Sequence, residues 1–171
     1  MSKDMSGIQD VDVMSGVLLR DVVGSDLAIF FEHHKDPDAN DIAAFTAKDP
    51  ADHSAFLAHW DKILGNEEIL IQTILYHGDV AGHVLSYIQL GEREVSYWVG
   101  KEYWEKGIAT IALSQYLYQV LIRPLYARAA KDNIGSVRVL EKCGFRVVGD
   151  DKGFSNARDE EVEEFLFELE G

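Results

Sequence analysis

The stretch from Trp98 to Thr110 combines glycine, lysine and the start of a helical pattern, and this combination suits a bound anion. The first turn of a helix leaves backbone N–H groups unpaired and carries the positive end of the helix dipole, so it attracts negative charge. Gly107 and Ala109 would let a phosphate approach the backbone closely, and Lys106 adds a cation. The spacing matches neither G-x-x-x-x-G-K-S/T nor G-x-G-x-x-G, which excludes the usual nucleoside triphosphate and dinucleotide loops.

A second polar helix start lies between Asn133 and Phe145, directly after a predicted strand. Asn133 and Ser136 are three residues apart, so a helix places them on one face. Alone, this segment indicates a helix-capping residue followed by an ordinary serine. Together with the phosphate-suited loop, it predicts a further polar contact for the same ligand.

One carboxylate near the centre of the predicted sheet could take part in proton transfer. Alternation along residues 92–99 puts Glu94 and Trp98 on the same face of a strand. Glu94 is then either a general base or one half of an ion pair with Arg93 or with a neighbouring strand, and the pattern leaves both open.

The six histidines and the single cysteine predict no metal site, because no i, i+4 histidine pair occurs and one cysteine completes no zinc set. His77 and His83 flank a predicted hairpin turn, where they would meet across the hairpin or lie on the surface. Cys143 fits a small buried residue at a helix end, since no base partner is evident.

Strands and helices alternate around these residues. Strands are predicted over 16–23, 68–76, 80–90, 92–99, 125–130, 145–148 and 162–169. Helices are predicted over 27–34, with Ser25 and Asp26 as cap and an end at Pro37, then from Asp49-Pro50 to Leu64, over 107–120 and over 133–143. The order β-α-α-β-β-β-α-β-α-β-β predicts an α/β fold with antiparallel and parallel parts.

Composition limits the classes of protein. Apolar residues make up 47% and charged residues 27% of 171, as in an ordinary globular chain. We expect a mobile tail over residues 1–14 and a single domain over 15–171. The net charge of −14 disfavours nucleic acid and is compatible with cationic partners. No apolar run reaches the length of a bilayer span and only one cysteine is present, so we expect a cytoplasmic protein without a membrane partner.

Glu105-Lys-Gly-Ile-Ala-Thr110 and Asn133-x-x-Ser136, followed by Glu141-Lys-Cys-Gly-Phe145, resemble the GNAT superfamily of acyl-CoA-dependent N-acetyltransferases. The likeness is closest to the branch of the ribosomal-protein-alanine N-acetyltransferases, and it covers about residues 16–170. It implies a mixed, mostly antiparallel central sheet flanked by helices and splayed between its fourth and fifth strands to admit acetyl-CoA. It also implies transfer of the acetyl group to a primary amine, of a protein N-terminus or a small molecule, by direct attack in a ternary complex.

The resemblance also implies roles for individual residues. The backbone N–H of Val99 would polarise the thioester carbonyl, Asn133 would bind the pantetheine arm, and Ser136 would lie near the thioester. We expect Glu94 and Ser136 to be catalytic. The expected cofactor-binding residues are Trp98, Val99, Glu105, Lys106, Gly107, Ile108, Ala109, Thr110, Asn133 and Ser136.

Two positions depart from the family pattern. Trp104 stands where the phosphate loop usually begins with Arg or Gln, and Leu140 stands where many members carry the Tyr that reprotonates the leaving thiolate. That role then passes to Ser136, to water, or to nothing. A non-catalytic acyl-CoA-binding sensor or scaffold is therefore the alternative function.

Acceptor choice is expected to depend on residues 25–65, where His33 or His34 would line the substrate mouth, and on a loop over 150–160. The acidic surface favours a cationic amine. The final strand, if exposed, could pair with a second copy to form a homodimer.

Overall fold

The computed structural model describes residues 15–171 and contains a seven-stranded sheet. Its strands are β1 (Val17–Arg20), β2 (Leu70–Tyr76), β3 (Asp79–Gln89), β4 (Glu92–Val99), β5 (Leu125–Ala130), β6 (Arg146–Ser155) and β7 (Glu160–Leu169). The helices are α1 (Asp26–His34), α2 (Pro37–Ala43), α3 (His53–Leu64), α4 (Ile108–Gln119) and α5 (Ile134–Lys142), and a 3₁₀ turn, Lys101–Tyr103, follows β4. The expected tail over residues 1–14 lies outside the described residues.

The sheet opens between β4 and β5. Its strand order is β1-β2-β3-β4-β5-β7-β6, and neighbouring strands are antiparallel except for β4 and β5, which run parallel. These two strands pair at a single position, Glu94 with Tyr126, and diverge beyond it. The predicted mixed, mostly antiparallel sheet, splayed between its fourth and fifth strands, is therefore confirmed.

Helices cover both faces of this sheet. On one face, α4 contributes Ile108, Leu113 and Tyr116 to the main core, which contains Val95 from β4 and Phe167 from β7. On the other face, α1 and α3 form a second apolar cluster around Phe30, Trp60 and Ile63. The two faces of the sheet are thus covered by different helices.

The helices before β2 differ from the prediction. The first helix ends at His34 as expected, but the Asp36-Pro37 pair starts a further helix, α2, instead of only breaking the chain. Asp36 accepts a hydrogen bond from the N–H of Ala39, and proline is well suited to the first helical position, where its missing N–H costs nothing. The next helix was predicted to start at Asp49-Pro50, and this prediction is wrong. Asp49 and Pro50 belong to a turn, and α3 begins at His53.

The C-terminal strands also differ. The sixth strand is ten residues long, and with β7 it occupies most of the segment predicted as a loop over 150–160. Because β7 lies between β5 and β6, the last strand is not exposed, and the prediction that it could pair with a second copy is wrong. The edges of the sheet are β1 and β6.

Candidate active site

A cleft of about 550 Å³ lies where β4 and β5 separate. Its walls come from β4, the loop before α4, the first turn of α4, one side of α5, and α2. The lining residues are Ala39, Ile42, Ala43, Tyr97, Trp98, Val99, Tyr103, Trp104, Glu105, Gly107, Ile108, Ala109, Thr110, Asp132, Asn133, Ile134, Gly135, Ser136, Arg138, Val139 and Lys142. Every expected cofactor-binding residue except Lys106, whose side chain is exposed, lines this cleft.

The end of β4 presents backbone groups to the cleft. The N–H of Gly100 donates to the carbonyl of Ala81 on the β3 side (2.8 Å). Because backbone groups of successive strand residues point to opposite sides, Val99 directs its N–H and C=O toward the gap facing β5. The Val99 carbonyl accepts the indole N–H of Trp104 at 2.8 Å. Trp104, at the position where the family resemblance leads us to expect Arg or Gln, therefore binds the backbone of β4 at its open edge.

The loop before α4 is shaped to receive an anion. Glu105 and Gly107 have φ angles of 63° and 76°, in the left-handed region that is costly for a residue other than glycine. Gly107 caps α4 without a side-chain hydrogen bond, and the first bond to its carbonyl comes from the N–H of Ile111 (3.2 Å). The N–H groups of residues 108–110 precede this bond, so they form a row of donors at the positive end of the helix dipole.

The start of α5 forms the opposite wall. Asn133 is the N-cap of α5 and accepts the N–H of Ser136 through Oδ1 at 3.2 Å. The Ser136 hydroxyl lies 2.7 Å from the hydroxyl of Tyr97 on β4. Asn133 and Ser136 are thus brought together on one helical turn, as their spacing predicted, and they face β4 across the cleft.

Sequence reasoning missed two cations and one wall of the cleft. Arg138 and Lys142, both exposed, line the cleft from α5. Their i, i+4 spacing on a predicted helix was a usable signal, because it places both on one face. The wall from α2 was missed because Pro37 was interpreted only as a helix breaker.

Glu94 lies at the point where β4 and β5 separate and does not line the cleft. It is 7% exposed, and its two carboxylate oxygens accept hydrogen bonds from the Arg128 guanidinium (Nε, 2.7 Å) and the Tyr87 hydroxyl (2.9 Å). Arg128 also donates to Glu164 at 2.8 Å. Burial and the neighbouring Glu94 raise the pKa of Tyr87, and the hydrogen bond to Glu94 raises the pKa of Arg128. Of the two alternatives, the ion pair with a neighbouring strand is present, and the partner is Arg128.

A histidine pair packs behind the cleft. The Nε2 atoms of His34 and His83 are 3.2 Å apart, so one ring donates to the other, and His34 stacks on the cleft residue Trp98 with centroids 4.3 Å apart. Burial lowers the pKa of His83 well below its usual value and that of His34 to about 4. His83 therefore meets His34 beneath α1; the prediction that it meets His77 or lies on the surface is wrong.

The described chain offers neither a metal centre nor a membrane helix. Among residues 15–171, no three His, Cys, Asp or Glu side chains come together in a way that could hold a metal ion. No helix of this part of the chain is long and apolar enough to cross a membrane.

Solved structures of acetyltransferases share this fold. Two similar solved structures are RimJ from Mycobacterium smegmatis in complex with CoA-disulfide (21% identity, TM-score 0.76, 92% of this chain and 83% of that chain) and the ribosomal-protein-alanine N-acetyltransferase from Brucella melitensis (16%, 0.75, 90% and 99%). A third is AAC(6')-Ib in complex with ribostamycin and coenzyme A (17%, 0.67, 88% and 92%). No curated protein sequence matches the chain significantly. The family model described as an acetyltransferase (GNAT) domain matches residues 17–146, and the chain therefore belongs to the GNAT family of acetyltransferases.

Proposed function

We propose that this protein transfers the acetyl group of acetyl-CoA to a primary amine, on a protein N-terminus or a small molecule, by direct attack in a ternary complex. The observation that carries this proposal is the opening between β4 and β5, which places the Val99 N–H beside the N-terminus of α4. An extended pantetheine arm fits between the diverging strands, and a pyrophosphate fits the donors of residues 108–110. The Val99 N–H would then donate to the thioester carbonyl and stabilise negative charge that develops on its oxygen.

Further cofactor contacts are proposed for the two walls. Trp98, Val99 and Asn133 would contact the pantetheine arm, and Ser136 would lie near the thioester. Glu105, Lys106, Gly107, Ile108, Ala109 and Thr110 would surround the pyrophosphate. Arg138 and Lys142 are suited to a remaining phosphate, because they are cations on the same cleft wall.

Isothermal titration calorimetry with acetyl-CoA and with 3′-dephospho-CoA tests this site. We expect micromolar binding of acetyl-CoA, weakened about tenfold or more by Arg138→Ala combined with Lys142→Ala. If these cations bind the 3′-phosphate, the double substitution should weaken dephospho-CoA binding much less. Lys62→Ala on α3, outside the cleft lining, is the matched control. Absence of binding at millimolar acetyl-CoA would refute the proposed function.

Glu94 is proposed to accept the proton of the attacking amine through a water molecule. Its position on the Trp98 face of β4, at the base of the opening, supports this role. The Arg128 and Tyr87 hydrogen bonds point instead to a structural ion pair. Glu94→Gln separates the roles: a proton acceptor predicts a kcat loss of a hundredfold or more, whereas a loss of less than about threefold would exclude it. Unfolding by urea, measured on the same variant, shows how far stability changes.

A non-catalytic acyl-CoA-binding module is the second candidate. Two observations favour it: the ion pair with Arg128 makes Glu94 a weaker proton acceptor, and the apolar Leu140 has no proton to donate. Turnover of acetyl-CoA with peptides, polyamines, amino acids and aminoglycosides decides between the two. Tight binding without turnover across this set would favour the module.

The acceptor is proposed to be cationic, given the net charge of −14. If so, added salt should raise the acceptor KM, and an unchanged KM would refute the electrostatic argument. We further propose a cytoplasmic location, consistent with the single, unpaired Cys143. A homodimer remains a prediction, with the exposed edge strand β6 as the surface that sedimentation at different concentrations would test.

A further inference from the structure

A pair of hydroxyl groups bridges the two walls of the cleft. The Tyr97 hydroxyl lies 2.7 Å from Ser136 Oγ and 3.4 Å from the Ser136 carbonyl oxygen. Tyr97 comes from β4, one of the two strands that separate, and Ser136 comes from the first turn of α5. Because the Asn133 cap fixes the N–H of Ser136, the serine is held in place for this contact.

The position of the pair matches the reacting end of the cleft. Tyr97 is two residues from Val99, whose N–H faces the gap, and Ser136 is three residues from Asn133. The other hydroxyl groups of the lining belong to Tyr103, just before the loop that leads into α4, and to Thr110 in the first turn of α4. Among the described lining residues, Tyr97 and Ser136 are therefore the hydroxyl donors nearest to the place proposed for the thioester.

Neither the rest of α5 nor its C-terminal cap offers another hydroxyl or thiol donor near the place proposed for the thioester. Leu140, one turn after Ser136, is 1% exposed and packs in the main core. Cys143 does not line the cleft, and its thiol lies 3.6 Å from both the Thr110 carbonyl and the Ser114 hydroxyl. Burial raises the pKa of the Cys143 thiol and of the Tyr97 hydroxyl, so both hold their protons at neutral pH.

We propose that the Tyr97 hydroxyl donates a proton to the leaving sulfur of the thioester and that Ser136 then returns a proton to Tyr97. This role rests on the proposed acetyl transfer. The amine nitrogen forms a bond to the carbonyl carbon, the carbon–sulfur bond breaks, and its electron pair stays on sulfur. The Tyr97 hydroxyl donates a hydrogen bond to the developing thiolate and passes its proton to it. The Ser136 proton moves to the tyrosyl oxygen in the same step, and a water molecule gives a proton to the serine oxygen. The hydroxide that remains takes up the proton released by the amine, either directly or after that proton has passed through Glu94, so that no net charge is left on the protein.

A titration of bound CoA tests this assignment without an acceptor. Thiolate has an ultraviolet absorbance that the thiol lacks, so the pKa of the bound CoA thiol can be followed against pH. A hydrogen bond to a charged group favours the thiolate, and we expect Tyr97→Phe to raise this pKa by about one unit or more. Ser136→Ala should raise it less, because the tyrosine can still donate. A variant that merely loosens the cleft would weaken CoA binding without shifting the thiol pKa of the bound fraction.

Tyr116→Phe is the matched control. Tyr116 is a buried tyrosine outside the cleft lining; its hydroxyl donates to the Leu70 carbonyl and is hydrogen-bonded to the Ser86 hydroxyl. The substitution Tyr116→Phe should lower the stability of the protein but leave the pKa of the bound CoA thiol unchanged.

Kinetics supply the second measurement. With hydroxylamine as a small acceptor, Tyr97→Phe should lower the enzymatic rate of thiol release tenfold or more while changing the Kd of acetyl-CoA less than threefold. Imidazolium buffer should partly restore the rate of this variant and not affect the wild type. An unchanged thiol pKa and an unchanged rate in Tyr97→Phe would overturn the assignment and leave the proposed function intact. Failure of the wild type to bind CoA would instead refute the proposed function itself.

Discussion

The buried histidine pair should make the protein lose stability in mildly acidic solution. Burial, together with the neighbouring His33 and His59, lowers the pKa of His34 from 6.5 to about 4. Because the folded pKa lies below the unfolded one, the unfolded chain takes up the proton first as the pH falls. The stability that neutral His34 supports is therefore complete above about pH 6.5 and is lost progressively toward pH 4.

The size of this loss follows from the pKa difference. A shift of about 2.5 units corresponds to a limit of about 3 kcal/mol, of which about 2 kcal/mol is lost by pH 5. His83, whose pKa is lowered by burial and by His34, acts in the same direction. A loss of this size is a large part of the 5–15 kcal/mol that stabilises a typical domain, so unfolding experiments can resolve it.

Urea unfolding at pH 7.5 and at pH 5 measures the effect. His34→Gln should be less stable than the wild type at pH 7.5 but lose about 2 kcal/mol less on acidification. The control is His77→Gln, a substitution of an exposed histidine. Its free energy of unfolding should fall between pH 7.5 and pH 5 by as much as that of the wild type. An equal loss in His34→Gln and the wild type, or an NMR titration of His34 with a midpoint near 6.5, would refute the reasoning.

Three further substitutions test the backbone of the cleft and one buried carboxylate. Trp104→Phe removes the indole bond to the Val99 carbonyl and should weaken acetyl-CoA binding about three- to tenfold in calorimetry; unchanged binding would contradict this. Gly82→Ala would place a Cβ 2.0 Å from the backbone oxygen of Trp98, so it should lower the melting temperature and weaken binding together. Burial alone raises the pKa of Asp26, but the hydrogen bonds that the carboxylate accepts lower this pKa overall. The ionised carboxylate therefore stabilises the folded protein above pH 3.8, and this stabilisation is lost as the pH falls through the pKa of the folded state. Asp26→Asn should cost about 2–3 kcal/mol at pH 7, and a loss under 0.5 would contradict the assignment.

The sheet and the two polar helix starts could be predicted because their signals are local. Runs of strand-forming residues on either side of a glycine-containing turn identified β2 and β3, alternation was evident in β4, and glycine with a following apolar pattern identified α4. Asn133 and Ser136 lie within one helical turn, so their spacing alone placed them together. The opening of the sheet came from the family resemblance, since no local pattern states which two strands separate.

The remaining features depend on contacts between residues distant in sequence. The partner of Glu94 is Arg128 on β5, and the partner of His83 is His34 on α1. Neither pairing is visible before the strand order and the helix positions are known. The helix start at Pro37 was a different failure, because proline ends one helix and opens the next with the same geometry.

The architecture of β4 explains why three different chemical groups meet where the sheet opens. Side chains of adjacent strand residues point to opposite faces, so Tyr97 faces α5 while Trp98 faces α1. In a closed sheet, the N–H and C=O groups of β4 that point toward β5 would be hydrogen-bonded to that strand. Because β4 and β5 pair only at Glu94 and Tyr126, the Val99 N–H is directed into the gap. Three consecutive residues can therefore present a hydroxyl, an aromatic ring and a backbone donor to one cleft, in which we propose that the thioester binds.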